Sequence, residues 1–320
     1  MKLFRNTSQI PLFINGCVAT IGNFDGVHLG HQALLTRLLA RAHELGLPAV
    51  VILFEPQPGE YFQRSAAPPR LTSLREKISL LSAFGVTYVY CLSFNQNIAE
   101  MTAEHFATHL LFSKLQVRHL LIGQDFRFGR ARLGDVVLLQ QQATAVGARV
   151  EVFSDFALAG ERVSSTRIRG LLAQGEMLLA QKFLGRSYRL CGRVIYGAQR
   201  GRQWGIPTAN MAMRRLSRPL SGVFCVQVKR ANQMILNGVA NIGTRPTLDG
   251  RSVFLEVHCL DFNESLYGEW LEVFFLHKIR DEKKFSAVPL LIQQIRDDIA
   301  VATAYFSKIN YQITKLTLQE

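Results

Sequence analysis

Two histidines three residues apart, His28 and His31, stand where a short apolar run gives way to a helical pattern. The run at 17–21 is compact and apolar, as a buried parallel strand should be. Gly22 and Gly26 bracket a turn in which glycine permits close backbone approach. A helical spacing of leucines then runs through 29, 34, 35, 38 and 39. Side chains three apart share one helix face, so both imidazoles come to the helix N-terminus. Free backbone N–H groups and a partial positive charge there suit phosphate, and the imidazoles add directed donors for charge developing on phosphorus oxygens. The pair could also be half of a metal site, but no third ligand follows at suitable spacing.

Four further stretches carry chemistry. At 123–129, glycines frame Asp125, Phe126, Arg127 and Phe128; the aromatics can stack on a flat ring while Asp125 orients polar edges, or both rings can belong to the core. At 163–169, Ser164 or Ser165 makes a helix N-cap, and hydroxyls, free N–H groups, Arg167 and Arg169 form a second anion site. At 197–205, a loop of three glycines with Arg200 and Arg202 lets backbone amides approach phosphate, and Thr208 and Asn210 just beyond it are oxygen ligands suited to a largely hydrated Mg²⁺. Glu256 sits in an alternating segment, with Leu255, Val257 and Cys259 on one face and Phe254, Glu256 and His258 on the other.

These residues need elements to hold them. Strands are expected at 17–21, 48–54, 86–92, 117–122 and 150–153, alternating with helices from 29, from Thr72 or Ser73 to Gly85, at 102–114 and at 134–147. The segment 55–59 reads as a proline-stiffened loop, and Ser73 with Glu76 has capping-box spacing. Such alternation predicts a doubly wound α/β parallel sheet, whose ligands bind beyond the carboxyl ends of the strands. A helical stretch to about 184 follows, and Gly185-Arg186-Ser187 is the expected boundary between domains 1–185 and 186–320. Beyond it, short alternating segments at 188–195, 222–228, 234–242, 252–260 and 269–275, with a hairpin signal at Asp249-Gly250, predict a small antiparallel β-barrel. A helix at 282–306, interrupted near Pro289, closes the chain.

The 320 residues carry 37 basic and 24 acidic side chains, a net charge of +13. That balance suits nucleic acid, an acidic membrane surface or polyanionic small substrates such as ATP. The basic residues are scattered, so a nucleic-acid tail is not indicated. Five dispersed cysteines, an odd count with no C-x-x-C, argue against a disulfide framework or a zinc knuckle and fit reduced thiols in a cytoplasmic protein. Neither a secretory signal nor a membrane-length apolar run is found.

The pattern T-x-G-x-F-D-G-x-H-x-G-H at 20–31 resembles the HxGH nucleotidyltransferases. More closely, it resembles the flavin-adenylating module of the bacterial bifunctional riboflavin kinase/FAD synthetases. G-x-D-F-x-F-G at 123–129, S-S-T-x-x-R at 164–169 and G-R-x-x-G-x-P-T-A-N at 201–210 match that family in order. The resemblance implies an N-terminal Rossmann-like domain that joins FMN to ATP and a C-terminal barrel that phosphorylates riboflavin. It implies catalytic roles for His28, His31 and Arg169, and for Glu256 as the kinase base. It assigns ATP to Gly22, Phe24, Gly30, Ser165, Thr166, Gly201, Arg202, Gly205 and Pro207, flavin to Asp125, Phe126, Phe128 and Arg280, and Mg²⁺ to Thr208 and Asn210. Riboflavin, FMN and ATP are the expected partners, with no nucleic acid or membrane, in a monomer or weak homo-oligomer. Arg200 and Trp204 depart from the family's usual loop residues. Another HxGH adenylyltransferase, a nucleic-acid-binding module and a protein with one inactive module are the alternatives.

Overall fold

A computed structural model of the chain describes residues 1–5, 13, 15–197, 199–213, 218–247 and 250–317. They form two compact units. The first comprises the described residues of Met1–Pro68 and Thr72–Ser165; the second comprises Pro69–Leu71 and the described residues from Thr166 onward.

The first unit is built on six parallel strands: β1 (Lys2–Phe4), β2 (Cys17–Ile21), β3 (Ala49–Glu55), β4 (Tyr88–Ser93), β5 (Val117–Gly123) and β6 (Arg149–Phe153), in the order β1-β4-β3-β2-β5-β6. This is the expected doubly wound sheet, with β1 as an added edge. Alternate residues of β2 feed two cores, as a strand covered on both faces requires. Cys17, Ala19 and Ile21 pack with Phe106, Leu110 and Leu139, while Val18 packs with Leu34, Leu35 and Leu38. The latter leucines belong to α1 (Leu29–Leu45), which Gly46 ends in a left-handed cap at φ +63°.

Proline opens rather than blocks the next helix: α2 (Pro58–Gln63) has Pro58 at its start, where a missing N–H costs nothing. The capping box at α3 (Leu74–Ala83) forms as expected, with Ser73 N donating to Glu76 Oε2 at 2.6 Å and Glu76 N to Ser73 Oγ at 3.3 Å. A short α4 (Gln96–Glu100) follows. The helix capped by Thr102 begins as α5 (Ala103–His105) and widens to a π-helix over Phe106–Lys114. Asp135 caps α6 (Val136–Ala145), and a two-residue hairpin, β7 (Ala157–Leu158) and β8 (Glu161–Arg162), precedes the end of the unit.

In the second unit the helical stretch is divided. Gly175, at φ +81°, separates α7 (Ser165–Gln174) from α8 (Met177–Leu184). A closed antiparallel barrel follows, made of β9 (Tyr188–Ile195), β10 (Ala209–Ala212), β11 (Gly222–Lys229), β12 (Ile235–Thr247), β13 (Gly250–Cys259) and β14 (Trp270–Arg280), in the order β10-β13-β12-β11-β14-β9. A one-turn α9 (Arg200–Gln203) precedes β10. Leu190, Phe224, Val226, Leu255 and Val273 occupy the buried strand faces. Val223, Cys225 and Val239 instead pack against Ala302 and Phe306 of α10 (Val288–Thr317). The expected interruption at Pro289 does not occur: the helix starts at Val288, so proline falls in the first turn. Asp249 of the hairpin signal lies outside the described residues.

Two candidate active sites

The sheet order changes direction between β2 and β5, which is where a doubly wound sheet opens a ligand crevice. The turn after β2 carries His28 and the loop after β5 carries Asp125, Phe126 and Phe128. His28 is the N-cap of α1: its Nδ1 accepts the backbone N–H of His31 at 3.3 Å. In the neutral ring this leaves the proton on Nε2. The two imidazoles stack at 3.7 Å between centroids, 17° apart, and Phe24 packs on His31 at 4.9 Å. Gly30 is needed beneath them, since a Cβ there would stand 3.3 Å from the His28 ring and 3.4 Å from Val163 O. The sequence expectation of paired imidazoles on one side of a helix start is met.

The turn itself is strained. Phe24 has φ +46°, Gly26 +82° and Val27 +39°, and strain of this kind collects at functional sites. Asp25, only 3% exposed, holds it: its Oδ1 accepts Thr72 N at 3.0 Å and Thr72 Oγ1 at 3.2 Å. Thr72 Oγ1 in turn accepts Gly26 N at 3.0 Å, and Asp25 O accepts Ser165 Oγ at 2.8 Å. Sequence reasoning missed Asp25 and Thr72 as site residues; their only local signal is a carboxylate between the turn's aromatic and its glycine.

Phe126 and Phe128 stack at 5.6 Å and 14°. Phe128 is buried against Phe106, so it supports Phe126 from the core side. Gly129 and Gly134 serve packing, because a Cβ on either would collide with Ala103. Asp125 pairs with Arg162 of β8 at 2.7 Å, and Arg162 also reaches Asp155 at 2.9 Å. Arg162, a further cation of this region, was not singled out from sequence. Ser165 starts α7 and ends the first unit. Thr166 is exposed, and Arg169 donates from Nε to Pro69 O at 2.7 Å within the second unit.

In the barrel, Ala209 and Asn210 begin strand β10. Asn210 of β10 lies opposite Glu256 of β13, and Glu256 lies opposite Asn241 of β12. All three line a cavity of about 540 Å³, together with Thr208, Trp204 and Phe285. The neighbouring positions Ala209 and Val257, also opposite each other, line a second cavity of about 360 Å³ with Arg202, Pro207 and Phe262. Thr208 lines both. The period-two alternation of β10 and β13 therefore sends successive side chains into different cavities. His258 Nδ1 meets Pro207 O at 2.8 Å, which ties the P-T-A-N segment to β13.

The glycines of the loop have a steric role here. A Cβ on Gly197 would lie 2.6 Å from Asn210 Nδ2, and one on Gly201 would run into the Ile206 carbonyl. Gly205 has φ +74°. The oxygens of the residues that line the larger cavity include the buried Asn241 Oδ1, which has no hydrogen-bond partner among the described residues. With Thr208, Asn210 and Glu256 they form a hard, all-oxygen donor set, which fits Mg²⁺ that keeps most of its water. Among the described residues no group of three or more His, Cys, Asp or Glu side chains is placed to hold a metal ion. Arg280 lines the same cavity, but its guanidinium is held by the buried Asp298 at 2.7 and 2.9 Å.

Comparisons with known proteins divide the chain in the same way. A family model described as FAD synthetase matches residues 11–167, and one described as riboflavin kinase matches 184–306. A bifunctional riboflavin kinase/FMN adenylyltransferase of Haemophilus influenzae is 45% identical over 96% of this chain and 100% of its own. That of Escherichia coli K12 is 45% identical over 96% and 98%. A solved structure described as a macrolide-efflux protein from Streptococcus pneumoniae has a TM-score of 0.78 at 30% identity, covering 94% of this chain and 98% of that one. No helix among the described residues is long and apolar enough to cross a membrane. With both site architectures present and near full-length identity of this order, the chain belongs to the bifunctional riboflavin kinase/FMN adenylyltransferase family.

Proposed function

We propose that the second unit phosphorylates riboflavin with ATP to give FMN and ADP, and that the first joins FMN to a second ATP to give FAD and pyrophosphate. The observation that carries the kinase assignment is the division of β10 and β13 between two cavities. The larger combines an apolar wall (Val223, Val239, Leu291 and Ile295) with Glu256, Asn210 and Asn241, and it suits a flavin with a polar ribityl tail. The smaller, with Arg202 and the aromatic Phe262 and Tyr267, suits a nucleotide. Thr208, common to both, stands where the γ-phosphate must pass.

In this reading Glu256 accepts the proton of the ribityl 5′-hydroxyl as its oxygen attacks the γ-phosphorus. Arg202 and the glycine-loop amides hold the nucleotide phosphates. Thr208 and Asn210 would hold Mg²⁺, which neutralises phosphate charge. In the first unit an FMN phosphate oxygen attacks the α-phosphorus of ATP and pyrophosphate leaves. The α1 N-terminus, with His28 and His31, stabilises charge on the phosphorus oxygens in that transition state. Ser165 adds to the phosphate contacts of the first unit and Asp125, Phe126 and Phe128 to its flavin contacts, while Arg280 belongs with the flavin of the second unit. The dispersed thiols, of which Cys17, Cys91, Cys225 and Cys259 are buried, accord with a cytoplasmic enzyme.

A chromatographic time course of purified protein with riboflavin, ATP and Mg²⁺ tests the reading. FMN should appear first and FAD follow. Glu256→Gln should slow FMN formation by about 10²–10⁴-fold, the range of general-base catalysis, and leave FAD formation from supplied FMN intact. His28→Ala with His31→Ala should do the reverse. Equal loss of both products in either variant would sink the assignment of two sites.

A further inference from the structure

The loop between β13 and β14 supplies a run of residues, 262–267, to the smaller cavity of the barrel. Its ends are fixed through the backbone. Asp261 and Gly268 turn at φ +51° and +78°, Gly268 N donates to Val194 O at 3.0 Å, and Val194 N donates to Glu269 O at 2.9 Å. Near its C-terminal end Tyr196 stacks on Tyr267 at 4.1 Å between centroids, and its first half is reached by Arg230. Arg230, in the turn after β11, lines neither cavity. Its guanidinium forks onto Glu269, Nη2 to Oε1 at 2.7 Å and Nε to Oε2 at 3.1 Å, and Nη1 donates to Glu264 Oε2 at 3.0 Å. Its Cζ also lies 5.2 Å from the centroid of the Phe262 ring.

The arginine's own placement is fixed: its backbone N donates to Met234 O at 2.9 Å, and the side chain is only 10% exposed. Planar two-point pairing and stacking on a ring are tasks for guanidinium, not ammonium. The pairing has an electrostatic consequence too. Glu264 lines the smaller cavity, and an uncompensated carboxylate there would oppose a polyanionic ligand. The hydrogen bond to Arg230 holds the Glu269 carboxyl below the usual carboxylate range, so that contact stays ionised at neutral pH.

We infer that Arg230 is a positioning residue that sets the affinity of the kinase unit for its nucleotide, by holding the Phe262–Glu264 wall of the smaller cavity and neutralising the carboxylate in it. This rests on the reading that the smaller cavity takes the nucleotide. It assigns a role to a residue that touches neither substrate.

The test is steady-state FMN formation by the full-length protein with ATP varied. Arg230→Ala should raise the KM for ATP by about ten- to a hundredfold, the scale of losing one partner of a charge pair that organises a binding wall. The kcat, the KM for riboflavin and FAD formation from FMN should stay within about threefold of wild type. Arg230→Lys keeps the charge without the fork and should be intermediate; it also serves if the alanine variant does not fold. Adding Glu264→Gln to Arg230→Ala should recover part of the ATP affinity, which a purely structural role would not allow. Ala209→Leu, which fills the smaller cavity, reports separately on the underlying reading. If Ala209→Leu raises the ATP KM while both Arg230 variants leave it within twofold, the inference on Arg230 is overturned alone. If Ala209→Leu has no effect, the nucleotide does not occupy that cavity and both fall.

Discussion

Asp25 offers a sharp test of how the turn between β2 and α1 is held. Replacing it with alanine removes one oxygen, Oδ1, that serves two donors of Thr72, and leaves Thr72 N buried without that acceptor. Hydrogen bonds to a charged acceptor contribute about 1.5–3 kcal/mol each, so the pair amounts to about 3–6 kcal/mol. Against it stands the backbone strain at Phe24 and Val27, about 1–3 kcal/mol each. Clasp and strain are of one size, so loss of the clasp lets the turn relax. His28 caps α1 three residues later, and on its proposed role a displacement of about 1 Å there costs roughly a hundredfold in rate.

Asp25→Ala should therefore cut FAD formation from FMN by about a hundredfold, while FMN formation by the same protein stays unchanged and reports that it is folded. Asp25→Asn keeps an Oδ1 acceptor and loses only the charge assistance, about half of the clasp by the same scale. It should fall between alanine and wild type. Both rates are read by separating FMN and FAD in single-substrate assays. Two results would refute the reasoning: an alanine variant within threefold of wild type, or an asparagine variant as impaired as alanine. The second would mean that the carboxylate's charge, not its hold on Thr72, is what matters.

Further outcomes follow from individual contacts. Gly197→Ala places a methyl 2.6 Å from Asn210 Nδ2; the amide must shift, and on the proposed role of Asn210 FMN formation should fall by about ten- to a hundredfold. An unchanged kinase rate would remove Asn210 from the site. The first unit should lose stability on acidification. Burial lowers the His119 pKa from 6.5, so the unfolded chain takes up that proton first as pH falls below 6.5. Burial raises the Glu151 carboxyl, but hydrogen bonds from Arg37 and His119 more than offset this and its pKa ends below 4.5, which adds a second loss in more acid solution. Thermal unfolding followed by circular dichroism between pH 8 and 4 should show the decline, and His119→Asn should delay its onset until the carboxylate titrates. A melting temperature that is flat between pH 7 and 5 in the wild type would contradict the assignment.

What the sequence could show was local. His28 and His31 were legible because strand, glycine turn and helix start lie within fifteen consecutive residues, and each element constrains the next. Ser73 and Glu76 were legible for the same reason. Asp25 was not, since its partner Thr72 is 47 residues away and no periodicity links them. Arg162 was hidden on a strand of two residues, too short to show alternation. For Arg280 the resemblance suggested a flavin contact, and only the fold brings Asp298 of α10 against its guanidinium. Pro289 was read as a break because a proline signals either a helix start or an interruption, and the apolar spacing around it did not say which.

The P-T-A-N stretch shows where such reading stops and why. Four strand residues soon after a proline give too short a run to show alternation, so the sequence assigns no element to 207–210. Pairing with β13 supplies what the stretch lacks. Once Asn210 is registered against Glu256 and Ala209 against Val257, the alternation already visible around Glu256 in β13 extends to β10. One face then carries the Glu256 carboxylate and the Asn210 amide, the proposed base and metal ligand; the other carries Ala209 and Val257, a small apolar floor for the proposed nucleotide site. A slip of one residue in that register would put Asn210 and Glu256 in different cavities. The kinase chemistry therefore depends on the tight glycine loop and the His258–Pro207 contact that flank β10, because these fix its register over only four residues.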